Sequence, residues 1–219
     1  MSHESDIARI SRRSDNQAMD TCCDVHPVPA GQRRVLQIVL AINITMFAVE
    51  FSAGLVAHST ALLADSVDML GDAIVYGFSL YVISRGPIWQ ARAALLKGAI
   101  MAAFGTGIVI EVMAKLVRGV SPTAEVIGIV GGVALAANLS CLVLLWQRRA
   151  DDINMRSAWL CSRNDVVANV GVLLAAAGVA ITGSGWPDII VGLLIAAMFG
   201  ESAVRVIRGA TRELRTAKR

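Results

Sequence analysis

Charge is scarce in this 219-residue chain: Asp, Glu, Lys and Arg together make up 17%. Aromatic residues make up 5%, and the only histidines are His3, His26 and His58. Beside 55% hydrophobic residues and a mean hydropathy of +0.61, so little charge argues against a soluble domain. The four cysteines, Cys22, Cys23, Cys141 and Cys161, lack the spacing of a secreted disulfide framework. The polar N-terminus lacks the short apolar core of a cleavable signal peptide, so the first hydrophobic run is expected to stay in the membrane. No nucleotide-binding loop is present, which argues against a primary pump. No histidine lies in a predicted helix beside a cysteine, so an intramembrane thiol enzyme would have no base. Neither a resident cofactor nor a nucleic-acid partner is expected.

What the chain has instead is a series of apolar runs near 20 residues, the mark of an all-α, polytopic membrane protein. Six spans are expected, at about 35–57, 59–80, 93–117, 125–146, 157–181 and 189–207. His58–Thr60 leaves room only for a tight turn, so the first two spans should form an antiparallel hairpin. Ser84–Arg92 and Gln147–Arg156 read as loops, and Gly131-Gly132 permits close helix approach. Glu111 and Lys115, four apart, are expected to pair with each other. Cys141 reads as a small core residue, Glu50 as a carboxylate held by a polar neighbour at a helix contact, and Asp188 as a cap or anchor of the sixth helix.

Residues 1–34 are expected to form a flexible tail, 35–208 the membrane domain, and 209–219 a short basic tail. In the first tail, Cys22, Cys23, Asp24 and His26 are candidates for metal capture. Of the 20 Lys and Arg, 18 fall on the two tails and on the 2–3 and 4–5 sides of the spans. Only Lys115 and Arg118 lie opposite, so the positive-inside rule places both termini in the cytoplasm.

The second span is the unusual one. Ser59–Leu80, STALLADSVDMLGDAIVYGFSL, carries Asp65, Asp68 and Asp72. Each ionised carboxylate at the bilayer centre costs roughly 2.5 kcal/mol or more on insertion scales, so three in one span require a partner, most simply a cation. Asp68 and Asp72 are four apart and share a helical face. In the fifth span Cys161 and Asp165 have the same spacing. Three carboxylates and one thiolate suit a tetrahedral divalent ion, and the sulfur favours Zn²⁺ or Cd²⁺ over Mg²⁺ or Ca²⁺. Protons compete for the same ligands, so such a site exchanges metal for H⁺. Asp65, Asn43 and Asn169 are candidates to orient the ligands from behind.

The run LAINITMFAVEFSAGLVAHSTALLADSVDMLGD resembles the first two spans of cation diffusion facilitators. The fifth span and WPDIIVGLLIAAMFGESAVRVIRGA resemble the last two. The resemblance runs from about residue 35 and implies six spans, a homodimer and proton-coupled efflux of divalent metal. It also implies that Asp68, Asp72, Cys161 and Asp165 bind the transported ion. The chain departs from the family pattern in placing Cys161 where His or Asp is usual, and in lacking both a His-rich loop and the usual cytoplasmic domain after span 6. The expected protein is therefore a short, multi-pass carrier of Zn²⁺ or Cd²⁺ in a bacterial inner membrane. Its rivals are a membrane-embedded metal sensor or adaptor that uses Cys22, Cys23 and His26, and a thiol enzyme built on Cys161.

Overall fold

A helix that is apolar but carries three acids is stable in a membrane only if other helices cover it. That requirement organises the fold. This computed structural model describes residues 33–81, 87–149 and 153–216. They form six helices: α1 (Arg33–Val56), α2 (Thr60–Tyr81), α3 (Pro87–Arg118), α4 (Ala124–Trp146), α5 (Ile153–Thr182) and α6 (Trp186–Thr216). Among the described residues, five stretches are long and apolar enough to cross a membrane: Arg33–Val56, Gly98–Arg118, Ala124–Trp146, Ala158–Thr182 and Trp186–Thr211. The remaining helix, α2, has 22 residues and holds Asp65, Asp68 and Asp72. It touches α1, α3, α5 and α6. Every residue from Ser59 to Val67 is buried.

The other helices turn their apolar side chains outward. Val117 and Ile181 are each 85% exposed, and Val56, Ile110, Leu174 and Leu194 also face out. Water would reject such a surface and lipid accepts it, so this is an integral, multi-pass membrane protein. Ala61, Leu62, Ala64 and Val67 of α2 pack with Met101, Ile108, Ile127, Val172 and Phe199 of its neighbours in the main core.

The α1–α2, α3–α4 and α5–α6 turns meet at one end of the bundle. The tight α1–α2 turn passes through His58, whose φ of 51° lies in the left-handed region, uncommon for a residue with a side chain. The Thr123 amide, at the start of α4, donates to the Ala57 carbonyl at 3.1 Å. Asp188, fully buried in the first turn of α6, is the centre of this end. Its carboxylate accepts from the hydroxyls of Ser59 and Thr60 (both 2.5 Å), from the amides of Thr60 (2.8 Å) and Ala61 (3.2 Å), and from Lys115 Nζ (2.7 Å). Ser59 Oγ also accepts the Leu62 amide at 3.1 Å, as an N-cap. Asp188 thus anchors α6 as expected, but the helix it caps is α2. Negative charge at that N-terminus also suits the helix dipole.

Three expectations are corrected here. Lys115 pairs with Asp188 and not with Glu111, because it points into the bundle (4% exposed) where Asp188 is the buried counter-charge. Glu111 instead lines a cavity of about 390 Å³ with Phe51, Leu63, Phe104 and Ile108. Helix α3 begins at Pro87 and α5 at Ile153, so much of the two expected loops is helical, and α6 continues to Thr216. Hydropathy marks where lipid begins, whereas a helix can continue into water, and proline fits a helix's first turn. Of the Gly131-Gly132 pair, only Gly131 makes a close approach, where an added Cβ would meet Val172 at 3.1 Å.

A tighter approach, onto backbone, lies elsewhere. A Cβ on Gly192 of α6 would stand 2.7 Å from the backbone carbon of Thr60. Gly192→Ala should therefore push α6 off the start of α2 and cost roughly 1–3 kcal/mol. Gly200→Ala, where nothing stands within 4 Å, serves as the control. Thermal unfolding in detergent should show a lowered midpoint for the first variant only.

Candidate metal centre

The acids of α2 follow one another at three- and four-residue spacing and so run down one side of the helix. Asp165 faces them from α5 and is 4% exposed. Its carboxyl shares a hydrogen bond with Asp68, and Asp72 and Asp68 are its strongest charged neighbours. Two carboxyl groups so placed can hold one proton between them, where two ionised groups would repel. Asp72, 6% exposed, accepts from the Tyr76 hydroxyl at 2.9 Å. The three carboxyl groups singled out in the sequence are thus brought together from α2 and α5.

Cys161 lies on α5 one turn before Asp165 and is 8% exposed. It is oxidised, in a disulfide, so it offers a thiolate only once reduced. Cys141 on α4 is a free, buried thiol. It packs in the second core cluster with Val75, Tyr76 and Leu145, as a small core residue does. The same position also sets it near Asp72. Among the described residues, no three His, Cys, Asp or Glu groups converge closely enough to enclose an ion. The acids are occupied with one another and with Tyr76, so an ion held there would replace those contacts.

Behind the acids runs a chain of amides. Asn138 on α4 donates through Nδ2 to Asn169 Oδ1 at 2.8 Å, and Asn169 Nδ2 donates to Asp65 Oδ2. Ser162 Oγ donates to the Asn138 carbonyl at 3.3 Å. All are buried. Asn169 and Asp65 therefore stand behind the centre, while Asn43 does not join them: its Nδ2 bonds the Val39 carbonyl of its own helix at 2.9 Å. Asn138 was not singled out in the sequence, because its partner is 31 residues away on another helix. Glu50 differs from expectation. It is fully buried, yet neither of its oxygens has a hydrogen-bond partner. Arg163 is exposed and extends over the Trp159 ring, 5.7 Å from its centroid, away from the acids. Cys22, Cys23 and His26 lie outside the described residues.

A family model described as the cation efflux transmembrane domain matches residues 36–215. The metal cation efflux system protein CzcD of Cupriavidus metallidurans is 29% identical over 182 residues, which cover 78% of this chain and 58% of that protein. The zinc transporter ZitB of Yersinia pestis is 29% identical over 200 residues (84% of this chain, 63% of that protein). ZitB of Escherichia coli is 26% identical over 201 residues (86% and 64%). The chain thus spans 58% to 64% of the length of these curated relatives.

The amide chain makes a prediction about stability. Asn169→Ala strips Asp65 of its donor and should cost roughly 1–3 kcal/mol, the usual penalty for an orphaned buried polar group. Asn138→Ala should cost less, because it removes only the bond behind. The double variant should lose less than the sum of the two, as expected of one network. Unfolding midpoints of the four proteins in detergent give the cycle.

Proposed function

Because the chain belongs to the cation efflux family, we propose that it carries divalent transition-metal cations, Zn²⁺ or Cd²⁺, out of the cytoplasm in exchange for protons. The observation that carries this reading is the hydrogen bond between Asp68 of α2 and Asp165 of α5 inside an apolar bundle. Two carboxyl groups on separate helices that share a proton can exchange it for a metal ion, and helix movement changes how well they converge. Asp68, Asp72, Asp165 and the reduced Cys161 are the ligands in this reading. Asn169 and Asp65 stand behind the centre, and Tyr76 must release Asp72 for it to bind.

The 18 basic residues on one side support cytoplasmic termini, so the turn end held by Asp188 faces out. The curated relatives are bacterial, which supports a plasma-membrane location. Function as a homodimer is part of the same proposal. So is metal capture by Cys22, Cys23 and His26, which would raise the local ion concentration without lying in the membrane path.

Two tests follow. Asp68→Ala, Asp72→Ala and Asp165→Ala should each abolish metal uptake into proteoliposomes, together with the metal-dependent proton flux, while leaving the protein in the membrane. Full activity in any of the three removes that residue from the centre. The second test, run under reducing conditions, concerns selectivity. A thiolate is softer than imidazole or carboxylate. Cys161→His should shift initial rates toward Zn²⁺, and Cys161→Asp should weaken Cd²⁺ transport most. A Cd²⁺/Zn²⁺ rate ratio unchanged across these proteins would make Cys161 a packing residue.

A further inference from the structure

Glu50 has no role in the centre described above, yet it sits in the least comfortable position in the bundle. Its side chain has no exposed surface, and Oε1 and Oε2 are both without a hydrogen-bond partner. Across from it on α2, Asp65 Oδ1 is also unpartnered and buried. Besides burial itself, the groups that act on Glu50 most strongly are Asp65 and then Asp68, both acids. The buried amine of the bundle, Lys115, is held by Asp188 at the turn end. Orphaned buried oxygens of this kind cost several kcal/mol unless something binds them.

The geometry selects what that is. Glu50 and Asp65 stand on two helices packed against each other and leave three buried oxygens unpartnered, and no hydrogen bond joins the two residues. A shared proton needs the oxygens in direct contact. A cation bridges a wider gap, with bonds of about 2.0–2.6 Å to each oxygen. Asp65 is also held in orientation for such a task, since its other oxygen accepts from Asn169, which Asn138 holds in turn.

Place on the helices gives the direction. Asp65 lies about 8 Å along α2 from Thr60 and Asp72 about 18 Å, at 1.5 Å per residue. Glu50 precedes the same turn by two helical turns. The pair therefore lies between the centre and the turn end of the bundle. We propose that Glu50 and Asp65 form a second divalent-cation site, which an ion leaving the Asp68–Asp72–Asp165 centre occupies on its way out. The proposal rests on the transport reading given above. All its ligands are oxygen, so it favours hard or borderline ions and binds more weakly than a site with a thiolate.

The test counts ions. Equilibrium dialysis of the full chain against Zn²⁺, followed by elemental analysis, should give one fewer Zn²⁺ per chain for Glu50→Gln than for wild type. Glu50→Asp, which keeps the carboxylate, should bind the wild-type number, and this separates loss of the site from loss of the fold. Asp68→Asn should also lose one ion, and Asp68→Asn with Glu50→Gln should lose two. Any ions on the N-terminal tail are common to all these proteins and cancel in the differences. If Glu50→Gln is not monodisperse, Asp65→Asn carries the same test. A wild-type Zn²⁺ count in the variant overturns the site, including where only the number of protons released on binding changes, since Glu50 is then a proton carrier. Wild-type transport of Zn²⁺ alongside an unchanged count defeats this inference alone. Absence of transport by the wild-type chain defeats the reading beneath it.

Discussion

Burying carboxyl groups where there is no water is the constraint on which this structure depends. Asp65, Asp68 and Asp72 give α2 a cost that no amount of leucine in the same helix repays. The bundle answers by surrounding α2, so that helices able to face lipid do so and α2 lies among them. Each acid then has its own arrangement. Asp68 lies against Asp165, Asp72 takes the Tyr76 hydroxyl, and Asp65 takes an amide. None of these partners is a fixed positive charge. A lysine or arginine would neutralise the acids permanently, whereas a proton or a neutral donor can be exchanged for a metal ion.

Among the described residues, the one buried base is at the turn end. Lys115 and Asp188 form a buried pair, but Asp188 also accepts four bonds from the start of α2. Such pairs are weak arguments for stability unless their remaining valences are filled, and here they are filled by Ser59, Thr60 and Ala61. Three helices, α2, α3 and α6, are joined at that point. Gly192 reinforces the joint, since it lets α6 run against the Thr60 backbone.

Much of this was legible in the chain. Asp68 and Asp72, and Cys161 and Asp165, announce themselves through four-residue spacing, because a helix turns that spacing into one face. The tight turn at His58 follows from the three residues between two apolar runs. The failures share a cause: a partner that is distant in sequence. Glu111 was the natural mate for Lys115 along one helix, yet the true partner lies 73 residues on. Asn138 reads as an isolated polar residue until α5 brings Asn169 to it. Glu50 reads as a carboxylate with a neighbour to satisfy it, and only the packed bundle shows that its neighbours are other acids. Helices run beyond the pattern of apolar residues, as at Pro87, Ile153 and Thr216, so hydropathy does not mark their ends.

Pinning α2 at its first residues has a mechanical consequence. A rigid rod held at one end rotates about that end, and each point moves in proportion to its distance from the pivot. From Ala61, Asp68 lies about 10 Å along the axis and Asp72 about 16 Å. Any tilt of α2 therefore carries Asp72 roughly half again as far as Asp68, and Asp65, about 6 Å from the pivot, a little over half as far as Asp68. The two carboxylates that the transport proposal assigns to one ion cannot move as a unit. A swing of the rod opens the gap between them from the Asp72 side, toward the end of the bundle where α1 starts and α6 ends, while the amide-held Asp65 moves least of the three acids.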